Sequence, residues 1–117
     1  AILCNNSGMA RGAVQAVEKA GKIGQVFITG ADADRANVEY LVEGKQQQDV
    51  YKDELTLASM ACRVAVELAS GQMTVPLAPP TTYKDAVDIK TVLTPVIPIT
   101  KDNFRAIVIE GGPKYRL

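Results

Sequence analysis

The ten residues Gln25-Val-Phe-Ile-Thr-Gly-Ala-Asp-Ala-Asp34 decide the fold that the sequence predicts. Val26 to Thr29 form a short strand with apolar residues on both faces, a pattern typical of a parallel strand that helices cover on each side. Gly30 then allows the backbone a sharp exit. Asp34 can cap a helix over about residues 35–43. A strand that leads into a helix in this way indicates an α/β fold.

The same alternation of strand and helix continues on both sides of this stretch. Upstream, the chain opens in a strand, and Ser7 can cap a helix over about residues 8–20. That helix presents apolar side chains at helical spacing, namely Ala10, Ala13, Val14 and Val17. Downstream, a third strand is predicted near residues 48–52. We therefore predict an α/β fold with a Rossmann-like parallel sheet flanked by helices.

The longest predicted helix follows the third strand, and Asp53 can cap it. It carries a strong apolar stripe of Leu57, Met60, Ala61, Val64, Ala65 and Leu68. Such a stripe is more typical of a packing surface than of a cofactor site. The two cysteines, Cys4 and Cys62, both fall in apolar stretches, so we expect buried free thiols rather than a disulfide or a nucleophile.

Prolines shape the rest of the chain. Pro76, Pro79 and Pro80 predict a long extended connection rather than a further helix. Pro95 and Pro98 each lack the backbone N–H that would donate to a neighbouring strand. This restricts the β-branched run around them to a sheet edge or to a crossover between two lobes. A last short helix, capped by Asp102, is predicted to end near Gly111, and it carries Phe104, Ile107 and Val108.

Composition excludes several classes of function. The chain has 117 residues, room for one domain, and 13 basic side chains balance 13 acidic ones. Without a basic stripe, nucleic acid is not an expected partner. Histidine is absent, so the usual general base and the histidine-containing zinc sites are missing, and we expect neither a metal nor another cofactor. No run approaches the ~18 apolar residues that a membrane-spanning helix needs.

Three polar residues stand where the three predicted strands end: Asn6, Asp32 and Lys52. The carboxyl ends of parallel strands meet at one edge of a sheet, and ligands bind in the crevice beyond that edge. An amide, a carboxylate and an ammonium together suit a polyhydroxylated ligand, since a hydroxyl both donates and accepts hydrogen bonds. Taken singly, Asp32 could instead cap the following helix, although Asp34 fits that role better. Asn6 alone would more often be a turn residue and Lys52 alone a solvated charge, so only the three together favour a binding site.

Four segments in the same order give the chain a resemblance to a known family: Asn5–Ala16, Thr29–Asp34, Val50–Asp53 and Leu93–Val96. They resemble the C-terminal portion of the periplasmic sugar-binding proteins of ABC importers, closest to the D-xylose-binding branch. The resemblance implies two Rossmann-like lobes that close over one monosaccharide, with Asn6, Asp32 and Lys52 as sugar ligands. Two positions depart from the pattern, because Ser7 stands where relatives usually have Asp and Ala31 where they usually have Gln.

The resemblance also implies a division of the chain and a set of partners. Residues 1–52 are the segment of the C-terminal lobe that carries the ligand residues, residues 53–90 pack on a missing N-terminal lobe, and residues 91–117 form the hinge crossover and terminal helix. The missing lobe is supplied by preceding sequence or a complementary polypeptide. The other implied partners are a monosaccharide, xylose or a related aldose, and the ABC permease. The implied location is periplasmic or extracellular, at the membrane through the transporter.

Two other classes of function disagree with the residues present, and a third shares the fold. An enzyme is not expected, because no base accompanies Ser7 and no third orienting group is visible. A phosphoacceptor receiver domain needs acidic residues where this chain has Asn5 and Asn6. A sugar-sensing domain of a signalling receptor or transcription regulator shares the fold, and the sequence leaves that alternative open.

Overall fold

The computed structural model describes residues 1–78 and 90–111. They form two compact units, the first comprising Ala1–Asp53 together with the chain from Val96 onward, and the second comprising Glu54–Pro95. The elements of the first unit are β1 (Ile2–Leu3), α1 (Ser7–Lys19), β2 (Ile28–Thr29), α2 (Arg35–Glu43), β3 (Asp49–Lys52), β4 (Val96–Ile99) and a terminal π-helix (Arg105–Glu110). The second unit contains α3 (Glu54–Ser70).

The strands of the first unit lie in the order β1, β2, β3, β4. β1 pairs with β2 in parallel, and a parallel bridge between Thr29 and Gln48 joins β2 to β3. β4 pairs antiparallel with β3, with Pro98 opposite Val50. The predicted α/β fold is confirmed. The β-branched run pairs with β3, and proline is tolerated at such a position because a sheet edge needs fewer ladder donors.

Two clusters of buried apolar side chains hold this unit together. One lies between α1 and β2 and consists of Val14, Val17 and Ile28. The other gathers side chains from α2, β3, β4 and the π-helix, namely Ala33, Val38, Leu41, Tyr51, Ile99 and Val108. At about 1.5–3 kcal/mol for each large side chain, this burial is the main force that holds the helices on the sheet.

Helix boundaries agree with the sequence for α2 and differ for two other helices. α2 spans Arg35–Glu43 after Asp34 and ends at Gly44, whose φ of 74° suits glycine. The predicted cap by the Asp34 side chain is wrong, because its carboxylate pairs with Arg11 and makes no capping hydrogen bond. The cap of α1 was predicted one residue late, because Asn6 rather than Ser7 accepts the hydrogen bond from the first turn. The last helix begins at Arg105 rather than after Asp102, because the Asn103 side chain bonds the backbone of the preceding turn.

The second unit consists of α3 and the chain that follows it. No residue of α3 is buried among the residues that the structure describes, and Leu57 and Leu68 are 51% and 63% exposed. The prediction that Cys62 is buried is therefore wrong, since its side chain is exposed on α3. Cys4 is half-buried, and both thiols are free, as predicted. Of the predicted connection, Pro79 and Pro80 lie outside the described residues.

Glu67 closes the turn that follows α3. Its carboxylate accepts hydrogen bonds from the Thr74 hydroxyl at 2.7 Å and from the backbone N–H groups of Thr74 and Val75 at 2.6 and 2.9 Å. Arg63 adds an ion pair at 2.8 Å. These donors, led by the Thr74 hydroxyl, lower the pKa of Glu67 from 4.5 to about 2, because they stabilise the ionised form.

Candidate functional site

The loops that follow β1, β2 and β3 leave the sheet at one edge. Backbone hydrogen bonds carry the pairing beyond the strands themselves: Cys4 donates to Thr29, Gly30 donates to Gln48, and Asp32 donates to Val50. The three strands run in parallel, so these bonds bring their carboxyl ends together. The polar residues that follow the strands therefore share the edge where open α/β sheets bind ligands.

Asp32 and Lys52 meet at this edge. Oδ1 of Asp32 lies 2.5 Å from Nζ of Lys52, and the two side chains are 36% and 45% exposed. A carboxylate and an ammonium are thus held side by side while both stay open to solvent. Together they offer one strong acceptor and one strong donor to a polar molecule.

Asn6 follows β1 at the same edge, but its side chain has a structural role as well. Its Oδ1 accepts a hydrogen bond of 2.8 Å from the backbone N–H of Met9 and so caps α1. Among the residues that the structure describes, Asn6 makes this contact with α1 rather than with the Asp32–Lys52 pair. A capping amide still has its NH2 group as a donor.

The loop between β2 and α2 adopts an unusual backbone conformation at Asp32. The φ angles of Asp32 and Ala33 are 101° and 52°, in the region that side chains other than glycine rarely adopt. Each such residue costs on the order of 1–3 kcal/mol and persists only where its surroundings enforce it. Strain of this kind clusters at binding sites, which is a second reason to place the site here.

A buried carboxylate, Asp49 on β3, supports this loop from below. It is fully buried and accepts four hydrogen bonds. Two come from the backbone N–H groups of Ala33 and Val50, at 3.0 and 2.8 Å. The other two come from the side chains of Gln46 and Ser7, at 2.8 and 3.2 Å. A buried charge is tolerated only when its hydrogen bonds are satisfied in this way.

Other buried polar side chains complete the network around Asp49. The Ser7 hydroxyl accepts a hydrogen bond from the Asp34 N–H at 3.3 Å. The Asn37 amide donates to the Ser7 carbonyl at 3.0 Å and to the Gln46 side chain at 2.9 Å. Arg11 bonds Asp34 and Asn37 at 2.8 and 2.9 Å. The first turn of α1, the loop, α2 and β3 are thereby tied together.

Gly30 is required by the position of Asp49. A Cβ at Gly30 would lie 2.6 Å from Oδ2 of Asp49 and 3.0 Å from both Ala10 Cβ and Gln46 Nε2. Such distances are too short for any side chain, so the glycine makes room for the carboxylate. From the sequence, Gly30 was expected only to free the backbone, and its contact with Asp49 was not predicted.

The roles of Asp49, Gln46 and Asn37 were not predicted from the sequence. One signal for Asp49 was present, since it stands two residues before Tyr51 in a strand and thus on the same face as a large apolar side chain. A carboxylate on an inward face needs hydrogen-bond partners.

Among the described residues there is no group of acidic, histidine or cysteine side chains that could hold a metal ion. The same residues include no helix with the length and apolar character of a membrane span.

Known proteins share both the sequence and the fold. A D-xylose-binding periplasmic protein of Escherichia coli is 37% identical over 112 residues, which cover 96% of this chain and 33% of the relative. Another, from Haemophilus influenzae, is 40% identical over 72 residues, 62% of this chain and 22% of the relative. A carbohydrate transporter solute-binding protein of Chloroflexus aurantiacus, solved in complex with D-glucose, superimposes with a TM-score of 0.81 at 36% identity, covering 98% of this chain and 33% of that protein.

The chain thus spans about one third of the length of these relatives. The family model described as the periplasmic binding protein domain matches residues 1–73. The match includes all three strand ends and the whole network around Asp49. It confirms the resemblance that the four sequence segments indicated. The chain belongs to the periplasmic binding protein family.

Proposed function

We propose that this chain is the C-terminal, sugar-binding portion of an extracytoplasmic solute-binding protein that delivers a monosaccharide to an ABC importer. The observation that carries the proposal is the contact between Asp32 and Lys52 at the carboxyl edge of the sheet. Both groups are partly exposed, and each follows a strand whose end the hydrogen bonds of the sheet hold in place.

The chemistry of the pair suits a sugar. One hydroxyl donates to the Asp32 carboxylate while its neighbour accepts from the Lys52 ammonium, and both hydrogen bonds are strengthened by the charges. The Asn6 amide, at the same edge of the sheet, would supply a further donor. Rigid attachment at strand ends keeps the entropic cost of binding low, because these groups need little further ordering.

The relatives support the choice of ligand class. Two are named as D-xylose-binding proteins, and the Chloroflexus protein holds D-glucose. We propose xylose or a related aldose as the ligand of this protein. The sugar would bridge two lobes and favour the closed state because it contacts both only there. It would then be released, chemically unchanged, to the permease in the periplasm or at the outer surface of the membrane.

The exposed apolar stripe on α3 is the surface that we propose packs against the missing lobe. Leu57 and Leu68 remain largely exposed in the part of the chain that the structure describes, and burial of each would contribute about 1.5–3 kcal/mol. The relatives are about three times as long as the chain, so the remaining sequence is the partner we propose for α3. An N-terminal lobe would also complete the sugar site.

The test uses the chain together with its genomic flanking sequence. Calorimetric titration with D-xylose and D-glucose should show one saturable site for at least one of them. NMR spectra of the recovered sugar should be identical to those of the starting material, since the chain has no histidine to act as the usual general base. Absence of binding to any pentose or hexose, or recovery of an altered sugar, would contradict the proposal.

A further inference from the structure

The three backbone N–H groups that begin at Asp32 are each anchored to a different acceptor. The N–H of Asp32 donates to the Val50 carbonyl at 2.9 Å. The N–H of Ala33 donates to the Asp49 carboxylate at 3.0 Å, and that of Asp34 to the Ser7 hydroxyl at 3.3 Å. Because Ser7 itself donates to Asp49, two of the three anchors depend on one carboxylate.

These three hydrogen bonds hold a stretch of backbone whose conformation is energetically unfavourable. Asp32 and Ala33 have φ angles of 101° and 52°, which an unsupported loop would leave for a more relaxed conformation. The Asp32 side chain projects from the first of these residues, so any relaxation of the loop redirects its carboxylate. The Asp49 carboxylate also accepts from the Val50 N–H, in the strand that ends at Lys52. One buried group therefore links the backbone beside both charged residues.

We propose that Asp49 is a positioning residue that holds Asp32 in its sugar-binding orientation, with Ser7 as its relay to Asp34. This inference rests on the proposed function, in which Asp32 accepts a hydrogen bond from the sugar. Asp49 is fully buried, so it would act on the sugar only through the loop that it holds. A residue that only filled space at this position would be apolar, whereas a buried carboxylate is costly unless its hydrogen bonds are needed.

The central variant is Asp49→Asn, which keeps the size of the side chain and turns one acceptor into a donor that faces the donating Gln46 amide. The matched control is Asp102→Asn, an exposed carboxylate in the same unit. Both are made in the protein with its genomic flanking sequence. We expect Asp49→Asn to weaken binding of the sugar that the parent binds by about tenfold and the control to leave it unchanged.

Two further measurements separate positioning from general stability. The amide hydrogens of Ala33 and Asp34 should exchange faster in Asp49→Asn, while that of Ile28, in the neighbouring strand, keeps its rate. In an Asp32→Asn background, Asp49→Asn should weaken binding by less than about twofold, because the loop no longer carries the carboxylate that it positions. A structural role alone would give the same loss of affinity in both backgrounds.

Each outcome decides the matter. If the parent binds no monosaccharide, the proposed function fails and this inference fails with it. If the parent binds and Asp49→Asn binds equally well, or the loss is the same in both backgrounds, the positioning role is wrong while the proposed function stands. Should Asp49→Asn fail to fold by circular dichroism, Ser7→Ala replaces it, with an expected loss of about threefold. An unchanged affinity in Ser7→Ala would then overturn the inference.

Discussion

The carboxylate of Asp32 and the ammonium of Lys52 lie 2.5 Å apart, although one side chain follows β2 and the other ends β3. Partly exposed ion pairs of this kind contribute only about 0–1 kcal/mol to stability. A sugar hydroxyl that takes over part of this hydrogen bonding therefore disrupts little. We therefore propose that the pair is a binding element rather than a stabilising one.

Replacement of Asp32 by alanine tests that explanation. The variant loses a charge-assisted acceptor and leaves sugar donors unpaired, so we expect affinity to fall by about 2–4 kcal/mol. Calorimetry on the protein with its flanking sequence measures the change. Asp102→Ala, which removes an exposed carboxylate elsewhere in the unit, should bind as the parent does. Equal affinity in Asp32→Ala would remove Asp32 from the site.

The two roles of Asn6 can be separated by two substitutions. Asn6→Asp keeps an oxygen that caps α1 but loses the NH2 donor, so we expect unchanged stability with weaker sugar binding. Asn6→Ala also loses the cap and should cost about 1 kcal/mol of stability. Denaturant unfolding and calorimetry check the two effects. If Asn6→Asp binds sugar as tightly as the parent, Asn6 only caps the helix.

Gly30 and Gly12 form a matched pair of glycines. Alanine at Gly30 would meet Asp49 Oδ2 at 2.6 Å, so we expect a loss of about 1–3 kcal/mol. Alanine at Gly12, inside α1 with nothing within 4 Å, should instead stabilise by about 0.5–1 kcal/mol. Urea unfolding of both variants gives the comparison. If Gly30→Ala unfolds at the same urea concentration as the parent, the Asp49 carboxylate can move aside and the glycine is not needed for its position.

Acid should loosen the turn after α3 at an unusually low pH. The folded-state pKa of Glu67 is about 2, below the ordinary 4.5. The stability that its ionised carboxylate contributes is therefore complete above about pH 4.5 and is lost as the pH falls toward 2. NMR of glutamate labelled at Cδ should report this low midpoint, and Glu67→Gln should remove the acid-induced change in the Thr74 and Val75 amide signals. Titration of Glu67 near 4.5 would contradict the hydrogen bonding described.

Local signals made part of this structure predictable. Asp34 and Gly44 bracket α2 as the sequence indicated, although the Asp34 carboxylate pairs with Arg11 and makes no capping hydrogen bond. Asn6 and Ser7 are both good capping residues, so sequence alone could not decide which of them faces inward. The strand ends were predictable because parallel strands share an edge, and this brought Asp32 and Lys52 together.

The network around Asp49 was not predictable in the same way. Two of its partners, Ser7 and Ala33, lie 42 and 16 residues away along the chain, and hydrogen bonds between such distant residues leave no periodic signal. The exposure of Cys62 and of the α3 stripe is a related case. Helical spacing predicts that one face packs against a partner, and it does not say whether the same chain supplies that partner.

A crystal structure of the protein, with its flanking sequence, in complex with D-xylose or D-glucose tests the central claim most directly. We predict that sugar hydroxyls lie within about 2.5–3.2 Å of a carboxylate oxygen of Asp32 and of Nζ of Lys52. The φ angle of Asp32 should remain near 101°, with the Ala33 N–H still bonded to Asp49. A sugar bound with neither Asp32 nor Lys52 in contact would contradict the account.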